Sequence, residues 1–260
     1  MDVEGGTQPF FCRTLRAGRA NLSRPFQGLA SIAAKMTDST EDAGEDPGPG
    51  AAATPQDAAA RLAEAAAGLF AAHGYEHVSI DRIAAAIGAT KGLFYHHYTA
   101  KADVLADIVV AARAAALNAA EAALAALPAE ESADRRLEAL AQGELRAAFE
   151  RPDASRIAAR ADDILATARL SETHAAKRDR ARDLRQALEQ LYLDAYRAGV
   201  RSGRLEPLPP RFAIWLIRLP ILAAADWSGG PDGGRTPADR VADAVARFAA
   251  RGLVEPPDVP

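Results

Sequence analysis

The chain is poor in cysteine, in lysine and in long apolar runs. Its one cysteine, Cys12, excludes an intrachain disulfide framework and a cysteine-rich zinc ribbon, and it points to a reducing, cytoplasmic compartment. No apolar stretch reaches the ~20 residues of a bilayer span. The longest strongly apolar one, Phe212 to Ala225, is interrupted by Arg218, so no membrane partner is expected. Lysine occurs only at Lys35, Lys91, Lys101 and Lys177, and the rest of the 31 basic residues are arginine. Against 35 acids they leave a net charge of -4, which argues against coating nucleic acid by bulk charge but leaves room for a local DNA-reading surface. There is no β-alternation and no repeat of 20–50 residues. A glycine-rich phosphate loop, a nucleophile elbow and a metal-spaced Cys/His set are all missing, and the adjacent acids Asp162 and Asp163 point to different helix faces. An enzyme, a catalytic residue and a cofactor are therefore not expected.

With 260 residues, 49% hydrophobic and 25% charged, the chain is long enough for one large domain or two small ones around a real core. Residues 1–53 differ from the rest. The first 35 carry Arg13, Arg16, Arg19, Arg24 and Lys35 against Asp2 and Glu4, without helical period and without a signal-peptide core. Met36 then opens an acidic stretch with Asp38, Glu41, Asp42, Glu45 and Asp46, whose composition predicts disorder. Met36 is a candidate for the natural start.

From Thr54 the pattern is helical almost throughout. Thr54-Pro55-Gln56-Asp57 is a helix start, Leu62, Ala66, Leu69, Phe70 and His73 recur at helical steps, and Gly74 supplies the stop. Two short helices follow, from Ser79 to Ala86 and from Thr90 to Tyr98, around a turn at Gly88. Ser79 and Thr90 are read as N-caps, Ile80, Ile83, Ala84 and Ile87 as inward, and Phe94 and Tyr98 as an inward i, i+4 pair. A long helix begins near Lys101 with Leu105, Ile108, Val109, Ala112 and Ala116 on one face. Further helices are expected over 132–150, 154–168, 171–201, 210–227 and 236–251. The fold class is all-α, with about nine helices: a three-helix helix-turn-helix domain over 54–101, a larger helical domain over 102–254, and a tail at 255–260.

A helix-turn-helix needs a bracing helix and a second helix whose outward side enters the major groove. Gly92 costs ~1 kcal/mol of helix propensity, which makes sense where a backbone must come close to DNA. The residues Leu69-Phe70, Gly74-Tyr75, Ser79-Ile80, Ile83-Ala84, Gly88, Lys91-Gly92, Phe94-Tyr95-His96-His97-Tyr98 and Lys101 together resemble the DNA-binding domain of TetR-type (tetracycline-repressor family) transcriptional regulators. The resemblance covers Thr54 to Lys101. It implies that Thr90–Tyr98 is the recognition helix, capped by Thr90. Lys91, Gly92, Leu93 and His96 would approach bases. Tyr95, His97 and Lys101 would touch phosphates, and Ser79 would cap the bracing helix and donate to a phosphate. The chemistry agrees, since Tyr, His and Lys are phosphate donors and Lys pairs with guanine. Leu93 departs from the small or hydroxyl residue often found there, and the segment before the first helix is acidic where it is often basic. The charges of 54–101 cancel, which predicts modest non-specific affinity and a shallow salt slope. Four histidines, His73, His77, His96 and His97, invite a metal reading. Gly74 separates the first two and the second two diverge by ~100°, so no metal site is expected.

The remaining helices are expected to form a homodimer and hold a small-molecule effector, as the resemblance implies. The 210–227 helix is almost wholly apolar and must be covered on several sides. The last helix carries Val241, Val245, Phe248 and Ala249 as one stripe. Pairing the two with a twofold copy makes a four-helix bundle. Candidate ligand residues are Arg156, Arg160, Tyr192, Tyr196, Trp215 and Arg218. Arg218 could anchor an anion, pair with an acid across the dimer, or reach solvent. Asp226-Trp227, the Gly/Pro-rich loop and the Arg251-Gly252-Leu253 ending resemble acyl-CoA-responsive members of the family, and another apolar metabolite fits equally. The expected function is a regulator, most simply a repressor, released from a palindromic double-stranded DNA operator when the effector moves the long helix. The alternative is a helical dimeric interaction module that no longer binds DNA.

Overall fold

The computed structural model describes residues 55–225 and 237–254. The 1–53 extension, the Thr54 and Thr236 caps, Asp226-Trp227, the 228–234 loop and the 255–260 tail lie outside the described residues. Arg61 onward forms one compact unit; of the preceding unit only Pro55–Ala60 is described, and it is helical.

Ten helices are present among the described residues: α1 Pro55–His73, α2 Ile80–Ala86, α3 Lys91–His97, α4 Lys101–Ala125, α5 Ala133–Glu150, α6 Pro152–Arg160, α7 Asp162–Thr167, α8 Glu172–Arg201, α9 Pro210–Ala225 and α10 Ala238–Arg251. No strand occurs among them. Leu205 and Val254 make one isolated antiparallel bridge.

The single helix expected over 154–168 is two. Ala161 separates them, and the cause is tertiary. Arg113 of α4, 8% exposed, donates to the Ala158 carbonyl (2.9 Å), to Asp162 Oδ1 (2.8 Å) and to the Ala181 carbonyl of α8 (3.0 Å). A buried guanidinium must satisfy its donors locally, and here it does so at the end of α6 and the first turn of α7.

Glycine sets the ends of α1 and α2. Gly74 (φ 80) closes α1, with its N–H donating to the Phe70 carbonyl at 2.9 Å. Gly88 (φ 68) closes α2 in a Schellman arrangement: its N–H donates to Ala85 O at 3.0 Å, and the Ala89 N–H to Ala84 O at 3.0 Å. Gly88→Ala keeps both bonds but forces a Cβ into the left-handed region, and is expected to cost about 1–2 kcal/mol. Chemical denaturation checks it; Gly88→Asn should lose less.

The apolar residues form two cores. One joins Leu62, Phe70, Ile83, Phe94 and Tyr98 to the first half of α4 (Val104, Leu105, Ile108, Val109) and to Ala158, Leu165 and Ala181. The other joins Leu117 and Ala120 to Leu137, Leu140 and Leu145, Tyr192 and Tyr196, Ile217 and Ile221, and Ala242 and Ala246. Val110 packs against both. Ala102 to Ala106 are consecutively buried, so the start of α4 is covered all round rather than on one face.

Alanine also corrects the membrane reading. Among the described residues α4 alone, with a mean hydropathy of 1.5 in its most apolar window, is long and apolar enough to cross a bilayer. It packs within the protein instead, with its first turns buried on every side. Asp103 (0% exposed) and Arg113 are buried on it with partners inside the protein. The expected stripe of α10 also divides. Ala242, Ala246, Ala249 and Ala250 face the core, Val241 and Val245 are half-buried, and Phe248 is 70% exposed. The small residues are the ones that go inward.

Candidate nucleic-acid interface

α2 and α3 are short because each is punctuated. Ser79 Oγ accepts the Arg82 N–H at 3.2 Å, which satisfies one orphan donor of α2 as a Ser cap should. Asp81 sits in the first turn, where the helix dipole favours an acid. Thr90 occupies the cap position of α3 with extended backbone, but its hydroxyl makes no capping bond, which differs from the expected cap. The Leu93 N–H instead reaches the Thr90 carbonyl at 3.0 Å.

α3 is anchored by Phe94 (0% exposed) and Tyr98 (4%), whose rings lie 5.6 Å apart. Burial, and then the charge of Asp107, push the Tyr98 phenol well above its ordinary range, so it stays a donor. With that side fixed, Lys91, Gly92, Tyr95 and His96 are exposed, and Leu93 is half-buried. A Cβ on Gly92 would meet nothing closer than Thr90 Oγ1 at 3.5 Å. The glycine is therefore not required by the protein's own packing.

Two of the expected contacts are engaged inside the free protein. Lys91 Nζ donates to Asp81 Oδ2 at 3.0 Å, a bond that raises the lysine pKa. Lys101 Nζ donates to the Tyr75 carbonyl at 2.6 Å and the Glu76 carbonyl at 3.4 Å, and it lies 4.2 Å from the centre of the Tyr75 ring. Lys101 thus ties the turn after α1 to the start of α4. The Tyr75 phenol is pushed up to about 12, by burial first and then by Glu76 and Asp103. His97 is half-buried, with its Nε2 inside and unpartnered; desolvation, and then the neighbouring His96, hold its pKa below the ordinary imidazole value. Among the described residues no group of His, Cys, Asp and Glu is placed to hold a metal.

The six residues named for a ligand are not gathered together. Tyr192 is fully buried, and its hydroxyl donates to Glu144 Oε2 at 2.9 Å. Burial and Glu144 raise its pKa, against Arg218. The same Glu144 accepts from Arg218 at 2.6 Å, so Arg218 pairs within its own chain, with Glu189 at 3.5 Å beyond. Burial works to lower the Arg218 pKa, and the Glu144 charge outweighs it. Tyr196 accepts the Leu208 N–H (2.7 Å), and the carbonyls of Glu206 (2.9 Å) and Leu208 (3.0 Å) are its possible acceptors, so it holds the turn before α9. Arg156 makes a local pair with Asp153 (2.6 Å), and Arg160 is exposed. Trp215, expected to face inward, is 56% exposed and stacks on Phe212. Sequence reasoning misses Arg113; its signal is a lone arginine in an otherwise apolar run.

Residues 62–108 match the family described as bacterial regulatory proteins, tetR family. None of the proteins of curated function matches the chain. Solved structures do. A tetR-family regulatory protein from Rhodococcus RHA1 is 23% identical, with a TM-score of 0.62 over 75% of this chain and 96% of its own. The transcriptional regulator PfmR from Thermus thermophilus is 25% identical, with a TM-score of 0.60 over 74% and 98%. AibR, solved with isovaleryl coenzyme A and operator DNA, is 20% identical, with a TM-score of 0.58 over 74% and 97%. The matched head begins within α1 and ends in α4, with the two short helices between, so residues 62–108 form a tetR-family helix-turn-helix DNA-binding domain, and the all-α fold that the chain shares with these solved regulators extends the likeness over most of its length.

Proposed function

We propose that this chain is a homodimeric repressor that holds a palindromic operator through two copies of α3 and lets it go when a small apolar or acyl-type effector binds the C-terminal helices. The observation that carries the reading is the outward side of α3: Lys91, Gly92, Tyr95 and His96 are exposed while Phe94 and Tyr98 lock the opposite side. Lys91, Gly92, Leu93 and His96 approach base edges. Tyr95, His97, Ser79, Thr90 and Lys101 set the register on phosphates, Lys101 with the donor its two carbonyls leave over.

The dimer supports the spacing. Phe212, Trp215, Leu219 and Leu222 are exposed along one side of α9, and Phe248 on α10, an apolar surface suited to a twofold copy. The effector class rests on the apolar character of α9 and on AibR, whose structure holds an acyl-coenzyme A. An acidic group on the effector competes with Glu144 for Arg218, near Tyr192. The effector then shifts the population toward a separation of the two α3 helices that misses successive major grooves.

Selection of bound duplexes from a random pool, followed by release with acyl-CoAs, tests this. A near-palindromic site is expected. Lys91→Ala should relax base preference at one position per half-site, at about 1–3 kcal/mol. Tyr95→Ala should weaken all sequences alike. If no duplex is enriched at low salt, the chain is a dimeric interaction module instead.

A further inference from the structure

Two carboxylates of α4, one turn apart, share a pattern that the DNA-reading role does not need. Asp103 is fully buried. Its Oδ2 accepts the N–H groups of Thr99 (3.1 Å) and Ala100 (3.0 Å), the residues by which the chain leaves α3. Its Oδ1 turns the other way and accepts the N–H of Ser171 (2.9 Å), the cap of α8, with His174 Nδ1 at 3.8 Å. Asp107 repeats the division. Its Oδ2 accepts the Tyr98 hydroxyl at 3.2 Å, and its Oδ1 is paired with Lys177 of α8, with His174 Nε2 at 3.8 Å.

Each acid therefore has one oxygen on the exit of α3 and the other on the first two turns of α8. His174 sits between them: it is 9% exposed, its Nδ1 is 2.9 Å from Ser171 Oγ and 3.0 Å from Thr173 Oγ1, and its ring is 5.8 Å from that of Tyr98. A carboxylate cannot keep both sets of partners if α8 slides along α4, because charge-assisted bonds of this length fail within a few tenths of an ångström. Beside the junction an open cleft of about 600 Å³, lined by Tyr75, Lys101, Ile164 and Arg169 among others, leaves room for the turn after α1 to move relative to α7.

We propose that Asp103 and Asp107 are positioning residues that lock α3 to the N-terminal turns of α8, so that α8 is the element through which the C-terminal helices set the attitude of the recognition helix. The proposal rests on the DNA-binding reading only for its biological output. The lock itself is a mechanical statement about this chain.

The test uses the full chain, one variant on the α8 side, far in sequence from α3, and one on α4. Lys177→Met removes the cation from Asp107 at a position that is one-third exposed. Amide hydrogen exchange is read residue by residue, beside the global melting temperature. The expected result is exchange roughly tenfold or more faster over 91–100, on the scale of a lost charge-assisted hydrogen bond. Exchange over 137–145 should stay at the parent rate, and Lys177→Arg should restore the parent pattern. Asp103→Asn should speed the same segment. Duplex from the random-pool selection should be held about tenfold more weakly by Lys177→Met. The proposal is overturned if exchange over 91–100 matches the parent in both variants, or rises only together with that of the whole chain. Should the parent bind no duplex, the DNA-binding reading fails while the exchange measurement still decides the lock.

Discussion

Arg218→Ala is expected to lower stability by about 3–5 kcal/mol, because it leaves Glu144 buried without its cation. Glu144 is 7% exposed and its two oxygens are divided between Arg218 (2.6 Å) and Tyr192 (2.9 Å). Removing the guanidinium strips the shorter bond and leaves a charge in an apolar core built from α5, α8 and α9. The melting midpoint should fall by roughly 10 °C on the scale usual for a chain of this size. Glu144→Gln should lose less, since the amide still accepts from Tyr192. The pair is not itself a large source of stability. Arg218 Nε is buried without a partner, so its desolvation is only partly offset. Replacing both residues together, Glu144→Leu with Arg218→Met, should recover most of what Arg218→Ala loses. Calorimetry of the three variants decides; a double variant no more stable than Arg218→Ala would show that the pair is doing more than neutralising itself.

Gly143→Val should be damaging on a similar scale. A Cβ at Gly143 would lie 2.5 Å from the Ala119 carbonyl oxygen, 2.7 Å from its carbon and 2.8 Å from Ala120 Cα. All three are main-chain atoms of α4, so no rotamer change relieves the clash, and α4 and α5 must separate. Overpacking usually costs about 1–3 kcal/mol and more where backbone must move, so about 3 kcal/mol or more is expected for Gly143→Val. Gly143→Ala carries the same Cβ and should cost less than valine but still well over its gain in helix propensity. Denaturant midpoints of the purified variants measure both. Gly88 differs in kind: there nothing lies within 4 Å and the cost is conformational, whereas at Gly143 it is steric.

The head of the protein is legible in the sequence wherever one residue type has few alternatives. Gly74 and Gly88 mark left-handed positions that other residues occupy at a cost, and the i, i+4 pair Phe94 and Tyr98 has only one side to bury. The body is less legible for two reasons. Alanine fits either face, so the stripe Val241, Val245, Phe248 and Ala249 read on α10 for a twofold copy does not reveal that Ala242, Ala246 and Ala250, with Ala249, turn to the chain's own core, where close packing against α5 selects the small residues. Polar partners distant in sequence are invisible. Arg113 divides the 154–168 segment from 45 or more residues away, and Lys101 turns its amine to carbonyls 25 and 26 residues upstream. The all-round apolar character of α9 suggests that Trp215 faces a cavity. The structure places it outside, where a dimer would cover it.

The division of the interior at Val110 has a practical consequence. A fragment stopped at Lys101 would keep the whole DNA-reading motif yet forfeit Val104, Leu105, Ile108 and Val109, against which Phe70 and Phe94 are packed. It would also forfeit Ala158, Leu165 and Ala181. What survives is a motif with an open wound on its inner side, prone to clump. Anyone wishing to study operator reading in isolation must cut the gene beyond Ala181, and by then most of the protein is in hand.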